Sequence, residues 1–222
     1  MNNQRASILR LILLPGLITL GVTFLRLAGE LAHLKKAFFG SEPGGQVAIV
    51  GITWLAPVFG IYFAVKLARQ VAGPPSLGRA IGIAVLGCAV IFASNAIGGR
   101  IIVAYGFKTF LIFFWIAWSL AGLLQLFGWP RLFKVLVAYG YAARIPVAFI
   151  MLLAFRGHWG THYDALPDGW NSHGLWPDFF WLGFFPQLTF WIGYTVTAGA
   201  LFGSLAAGVL RLFQTPAKPA AA

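Results

Sequence analysis

Histidines and a carboxylate with the spacing of metal ligands lie in the C-terminal third of the sequence. His158 and His162 are four residues apart, and Asp164 follows two residues later. If the helix that precedes them continues this far, both imidazoles lie on one face of it. Imidazole nitrogens and carboxylate oxygens are ligands that Zn²⁺ and similar ions prefer. This stretch therefore predicts one part of a divalent-metal site.

A second pair of such residues lies near the N-terminus, where Glu30 and His33 are three residues apart. Three protein ligands and an open position would make the site catalytic rather than structural. A haem between His33 and His158 is an alternative use of the same imidazoles. The simpler interpretation is that these polar residues hydrogen-bond a loop onto the rest of the protein. The complete predicted set of ligands is Glu30, His33, His158, His162, Asp164 and His173.

An arginine inside an apolar segment is the second feature with chemical potential. Arg144 lies in the middle of residues 135–155, and no apolar segment of this length contains Asp or Glu. An arginine at the centre of a bilayer costs about 2.5–3.5 kcal/mol on insertion scales, so such a residue indicates a function. Pro146 frees a helix carbonyl. The groups that could satisfy Arg144 are this carbonyl, Asn95, Gln125 or an anionic ligand, and a purely structural contact is the alternative.

The composition places these residues in a membrane protein. Hydrophobic residues make up 59% of the 222 residues, charged residues only 9%, and the mean hydropathy is +0.82. Soluble domains contain about 25% charged residues, so an ordinary soluble enzyme is excluded. A membrane helix needs about 20 apolar residues. Six windows satisfy this requirement: 8–28, 47–65, 80–97, 109–129, 135–155 and 188–210.

The windows predict one all-α transmembrane domain over residues 1–222, a polytopic bundle of six helices with short loops. The longest connection is an outer loop over residues 156–187, rich in His and aromatic residues. Residues 100–108 are compatible with the end of the third helix or with the beginning of the fourth.

Lys and Arg predict the orientation of the bundle. With both termini cytoplasmic, nine basic residues lie inside and six outside, whereas all five acids and all four histidines lie outside. The purely basic inner face suits anionic lipids of the bilayer. Because the basic residues are distributed over several loops, nucleic acid is excluded as a partner. The predicted location is a plasma membrane of the bacterial inner-membrane type.

Small residues in the sixth window predict close helix packing. Gly199, Gly203 and Ala207 recur every four residues, a spacing that lets helix backbones approach closely in lipid. The row is typical of packing inside a protein, and a homo-oligomer or another membrane partner is the alternative.

Aromatic residues are concentrated in and after the outer loop. Such residues favour the membrane–water interface, and the alternative is that they cover a cavity between the helices. They are Trp159, Trp170, Trp176, Phe179, Phe180, Trp181, Phe184 and Phe185.

Three classes of function follow from these features, and the sequence leaves enzymatic activity undecided. The first is a membrane protein with a polar, metal-binding site on its extracytoplasmic face. The second is a carrier or channel in which Arg144 on the fifth helix selects an anion or a lipid headgroup. The third is a non-catalytic accessory subunit of a membrane complex.

Overall fold

The computed structural model describes residues 7–45, 48–70 and 72–213. In these ranges the chain is helical and contains no strand. Shorter helical turns lie at Lys36–Phe39, Pro43–Gly45, Leu175–Asp178, Phe179–Phe184 (a π-helix) and Phe185–Leu188. The six longer helices are α1 (Ile8–Leu31), α2 (Leu55–Arg69), α3 (Leu77–Tyr105), α4 (Phe107–Gly128), α5 (Pro130–Gly157) and α6 (Phe190–Leu212).

The predicted all-α membrane bundle is confirmed, but the count of six membrane-length helices is not exact. Within the described residues, five helical segments are long and apolar enough to cross a membrane: α1, α3, α4, α5 and the continuous run Leu175–Leu212. The exception is α2, which has 15 residues. At 1.5 Å per residue it is about 22 Å long, which is less than the hydrocarbon thickness of about 30 Å.

The second window, 47–65, fails because its first part is not helical. Residues 48–54 form bends and turns, and α2 begins only at Leu55. Pro57 lies in the first turn of α2, where its missing N–H has no helical acceptor to lose. Hydropathy measures apolar character and does not distinguish this irregular segment from helix. Val47 lies outside the described residues.

Two other boundaries differ from the sequence prediction. Residues 100–105 belong to α3, and α4 begins at Phe107 after Gly106, whose φ of 82° suits glycine. The outer loop is shorter than 156–187, because α5 continues to Gly157 and the chain is helical again from Leu175.

The six longer helices run alternately between two ends of the bundle. At one end, Ile8, Leu67 and Pro130 line a common cleft, and the Arg211 guanidinium donates to the carbonyl of Pro74 (3.3 Å). We call this the basic end, because its described charged residues are Arg10, Lys66, Arg69, Arg79, Arg131, Lys134 and Arg211. The opposite end, called the loop end, contains residues 32–45, 48–54 and 158–174.

Glycines join α2 to α6 at the centre of the bundle. A Cβ on Gly60 would overlap the backbone of Gly199, and one on Gly203 would lie 2.8 Å from the carbonyl oxygen of Gly60. Ala207 is 2% exposed. The small-residue row therefore packs closely against α2 inside the protein, and a homo-oligomer or membrane partner through it stays a prediction.

Candidate functional site

A cavity of about 300 Å³ lies at the loop end. It is lined by α1, by α4 and by residues 44–45 and 51–53 of the connection between α1 and α2. Residues of α5 and the beginning of α6 complete the wall. Much of the lining is aromatic, and it includes Phe107, Phe110, Phe114, Trp115, Trp181, Phe190 and Trp191. A concave, mostly apolar site with a few polar groups is typical of small-molecule binding sites.

Arg144 contributes a buried positive charge to this cavity. Its residue surface is 5% exposed, and its Nη1 donates to Oε1 of Gln187 at 3.2 Å. Its Cζ atom lies 4.5 Å from the centroid of the Trp191 ring, a distance at which a cation is attracted to an aromatic face. These contacts hold the guanidinium at the cavity wall through two groups that carry no charge.

The described residues include all five acids of the chain, and none of them forms a salt bridge with Arg144. The salt bridges in these ranges join Glu30 to Arg26 and to His162. A guanidinium has five N–H donors, of which one hydrogen bond to a side chain is accounted for. Among the described residues, Arg144 is therefore a buried cation without a counter-ion.

The partner of Arg144 is not among the side chains that the sequence predicts. Asn95 donates to the carbonyl of Ile91, and Gln125 donates to the carbonyl of Ala121. Gln187 takes their place, although it is 43 residues away in the chain. Its signal in the sequence is a polar residue within a run of aromatic residues, which is the feature that could have identified it.

Arg26 and Glu30 form a buried ion pair on α1 next to the cavity. Nε of Arg26 lies 2.7 Å from Oε1 of Glu30, and the same oxygen contacts Nδ1 of His162. The backbone N–H of His162 donates to Oε2 of Glu30 at 2.8 Å. The spacing of four residues between Arg26 and Glu30 is a recognised helical pair, and sequence analysis missed it.

The remaining nitrogens of Arg26 bond to the backbone of the segment between α1 and α2. Nη2 donates to the carbonyl of Gly40 at 2.9 Å, and Nη1 donates to the carbonyl of Val50 at 3.1 Å. The pair with Glu30 thus connects α1 to this segment and, through His162, to the 158–174 loop. These contacts shape one wall of the cavity and satisfy the charge of Arg26 without a ligand.

Of the six predicted metal ligands, Glu30 and His162 contact each other. The carboxylate of Asp164 accepts hydrogen bonds from the backbone N–H groups of Gly160 (2.9 Å) and Thr161 (2.8 Å). These hydrogen bonds stabilise the turn that contains Asp164. Together with His158, Asp164 lies beside a shallow surface groove.

The other predicted ligands lie apart from this pair. His33 and His158 each follow the end of a helix with a positive φ, 51° and 50°, and both are exposed. Because α5 ends at Gly157, His158 and His162 do not share a helical face. His173 is exposed next to Trp170. Within the described residues, no group of three or more His, Cys, Asp or Glu is placed to hold a metal ion, so the divalent-ion site stays a prediction.

The aromatic residues of the loop end divide between the two predicted roles. Trp181 lines the cavity, and the buried Trp170 lies 6.4 Å from it between ring centroids. Trp176 is 57% exposed on the outside of the bundle. The region therefore covers the cavity with some of its rings and presents others at the periphery.

Burial gives His162 an unusual titration. Desolvation lowers the pKa of this imidazole below its ordinary value of 6.5, and the charge of Arg26 acts in the same direction. The contact with Glu30 opposes these effects without reversing them. The neutral imidazole donates its Nδ1 proton to Glu30 and leaves Nε2 as an acceptor.

We expect the stability of the protein to fall as the pH decreases below about 6.5. As the pH falls through this range, the unfolded chain takes up a proton at position 162 more readily than the folded protein, in which the pKa of His162 is lower. Thermal unfolding in mild detergent between pH 7.5 and 5.5 measures the effect. His162→Asn, which keeps a donor for Glu30 but does not titrate, should lose this component, and His173→Asn at an exposed position should retain it. An identical pH dependence in His162→Asn and the parent would contradict the expectation.

Comparisons of the chain with models of known protein families, with curated proteins and with solved structures gave no match.

Proposed function

We propose that this membrane protein binds an amphiphilic anion in the loop-end cavity, with Arg144 as the counter-charge of the ligand headgroup. The observation that carries the proposal is a cation that is 5% exposed, lines a cavity of about 300 Å³ and has no acidic partner within the part of the chain that the structure describes. An unpaired buried charge is costly, and a hydrogen-bonded anion offsets that cost.

The rest of the cavity suits the apolar part of such a ligand. Trp115 and Trp181 on opposite elements lie 5.2 Å apart between ring centroids, and Phe110 and Phe114 continue the wall along α4. Aromatic side chains present large apolar surfaces to a bound molecule. The combination of one charge with an extended aromatic surface favours an amphiphile over a small inorganic ion.

The same proposal places the loop end on the extracytoplasmic side of a bacterial inner membrane. All five acids lie towards this end, whereas the sequence assigns nine Lys and Arg to the opposite side of the membrane and six to this side. Excess Lys and Arg favour the cytoplasmic side. A carrier or channel for the anion is the role that the site supports best, since an accessory subunit requires neither the cavity nor Arg144.

Replacement of Arg144 is expected to remove anion binding. A hydrogen bond to a charged group contributes about 1.5–3 kcal/mol, so Arg144→Gln and Arg144→Leu should weaken binding of dodecanoate by about 10–150-fold. Arg144→Lys retains the charge but not the planar group and should retain part of the affinity and flux. Binding is measured by tryptophan fluorescence in phosphatidylcholine nanodiscs, and flux is measured in proteoliposomes.

The matched control for this experiment is Arg156→Gln, which removes an exposed arginine near the end of the same helix. Its affinity for dodecanoate should equal that of the parent protein. Dodecanol, which has the same tail and no charge, should bind the parent and Arg144→Gln equally. Equal affinity of the parent and Arg144→Gln for dodecanoate would overturn the proposal.

A further inference from the structure

We infer that the headgroup bound in the cavity carries one negative charge, as a carboxylate or a phosphodiester does, and that the site discriminates against dianionic phosphomonoesters. This inference rests on the proposed function and deepens it, because it names the class of ligand. It follows from the charges at the cavity wall, from the hydrogen-bond donors of the wall and from the position of Lys108.

The charged groups at the cavity wall leave a net charge of +1 for a ligand. Arg26 and Arg144 both line the cavity, but Arg26 is paired with Glu30 at 2.7 Å. His162 is neutral near pH 7 because burial lowers its pKa. One positive charge, that of Arg144, is left for a ligand, and a monoanion neutralises it completely. A dianion would leave one negative charge buried without a partner, which is strongly unfavourable.

The hydrogen-bond donors around the cavity also favour a monoanionic headgroup. The hydroxyl of Thr23 donates to the carbonyl of Thr19 (2.9 Å), and the hydroxyl of Tyr163 donates to the carbonyl of Thr23 (3.3 Å). Nε2 of Gln187 is directed to the sulfur of Met151 at 3.4 Å. These three polar wall groups are already engaged. The guanidinium is a charged donor to a headgroup, and the other side-chain donors of the wall, such as the indole N–H groups of Trp115, Trp181 and Trp191, are uncharged. Two oxygens of one headgroup match the parallel N–H groups of a guanidinium.

Lys108 is the neighbouring cation on the other side of the aromatic cover. Its Nζ lies 5.7 Å from the centroid of the Trp170 ring and 5.8 Å from that of Trp181. Lys108 is exposed, whereas Trp181 belongs to the cavity wall. This lysine is thus separated from the cavity by the rings, so it attracts anions to the region without supplying a second contact to a bound headgroup.

The test compares headgroups on one dodecyl tail at pH 8 in micelles of a nonionic detergent, which contributes no phosphodiester of its own. The probes are dodecanoate, ethyl dodecyl phosphate as the phosphodiester, dodecyl phosphate as the dianion and dodecanol as the neutral reference. We expect at least one of the two monoanions to bind ten times or more tighter than dodecyl phosphate. Tight binding of dodecanoate alone assigns the site to carboxylates, and tight binding of the phosphodiester alone assigns it to phospholipid-like ligands.

A second variant adds a charge to the cavity from α4. Leu111 of α4 lines the cavity, and Leu111→Lys adds a second cation, so the discrimination against dodecyl phosphate should fall at least fivefold. Leu111→Gln, a polar control of similar size, should keep the parent's discrimination.

Two outcomes separate this inference from the proposed function. If dodecyl phosphate binds the parent protein as tightly as both monoanions, the inference is overturned while anion binding stands. If every anion binds no tighter than dodecanol, the proposed function itself fails. Because the comparison of headgroups uses the parent protein, it does not depend on the folding of any variant.

Discussion

Replacing Glu30 with alanine is expected to destabilise the protein by about 3–5 kcal/mol, the usual cost of removing one partner from a buried ion pair. The carboxylate is fully buried and accepts from Arg26 and from two nitrogens of His162. Its removal leaves the guanidinium of Arg26 buried with backbone carbonyls alone. Thermal and denaturant-induced unfolding in mild detergent measure the loss, and ligand binding should decline with the folded fraction.

The control for Glu30→Ala is Glu42→Ala, which removes an exposed acid from the same end of the bundle. Exposed substitutions away from such networks change stability by about 0.5 kcal/mol or less. Glu30→Gln retains acceptors but loses the charge, so its stability should lie between those of the parent and Glu30→Ala. If Glu30→Ala and Glu42→Ala unfold alike, Arg26 and His162 do not depend on this carboxylate.

The second large effect is expected at the contact between α2 and α6. Gly60→Ala places a methyl group against the Cα and carbonyl oxygen of Gly199, and backbone cannot move aside as a side chain can. Overpacking typically costs about 1–3 kcal/mol, and this position should reach or exceed the upper limit. The midpoint of thermal unfolding in detergent measures the stability of Gly60→Ala relative to the parent protein.

Gly82→Ala is the matched control for Gly60→Ala, because a Cβ at Gly82 meets no atom within 4 Å. It also lies within a long helix, α3, where alanine is favoured over glycine by about 1 kcal/mol. Its stability should equal or exceed that of the parent. A loss in Gly60→Ala no larger than that in Gly82→Ala would show that α2 and α6 lie further apart than the structure places them.

Hydropathy predicted the parts of the fold that depend on length and apolar character. The windows 8–28, 80–97 and 109–129 lie inside helices of the structure, apart from Trp129, because a long apolar run in lipid satisfies its backbone only as helix. The same criterion was wrong for residues 48–54, where an apolar segment bends beside Arg26. In that segment the carbonyl of Val50 accepts a hydrogen bond from the side chain of Arg26 on α1, and no pattern in the local sequence predicts such a contact.

The candidate site was predictable in one residue and not in its surroundings. Arg144 was identified from the sequence because a charge within an apolar membrane segment is energetically costly and therefore indicates a function. Its neighbours Gln187 and Trp191 come from a distant part of the chain, so their contact depends on how the helices pack. Similarly, Glu30 and His162 were selected for their metal-ligand chemistry, whereas the structure joins them through a long-range hydrogen bond within an arginine network.

The shortness of α2 has a consequence for the order in which the chain assembles. With about 22 Å of helix and an irregular lead-in, α2 is poorly suited to hold a place in the bilayer by itself, and its most extensive packing is against α6. A helix that follows α2 by more than 100 residues in the chain therefore completes the environment of α2. A ribosome-bound chain that ends before α6 should hold α2 weakly, so the placement of α2 is completed only after α6 has been made rather than by sequential addition of independent spans.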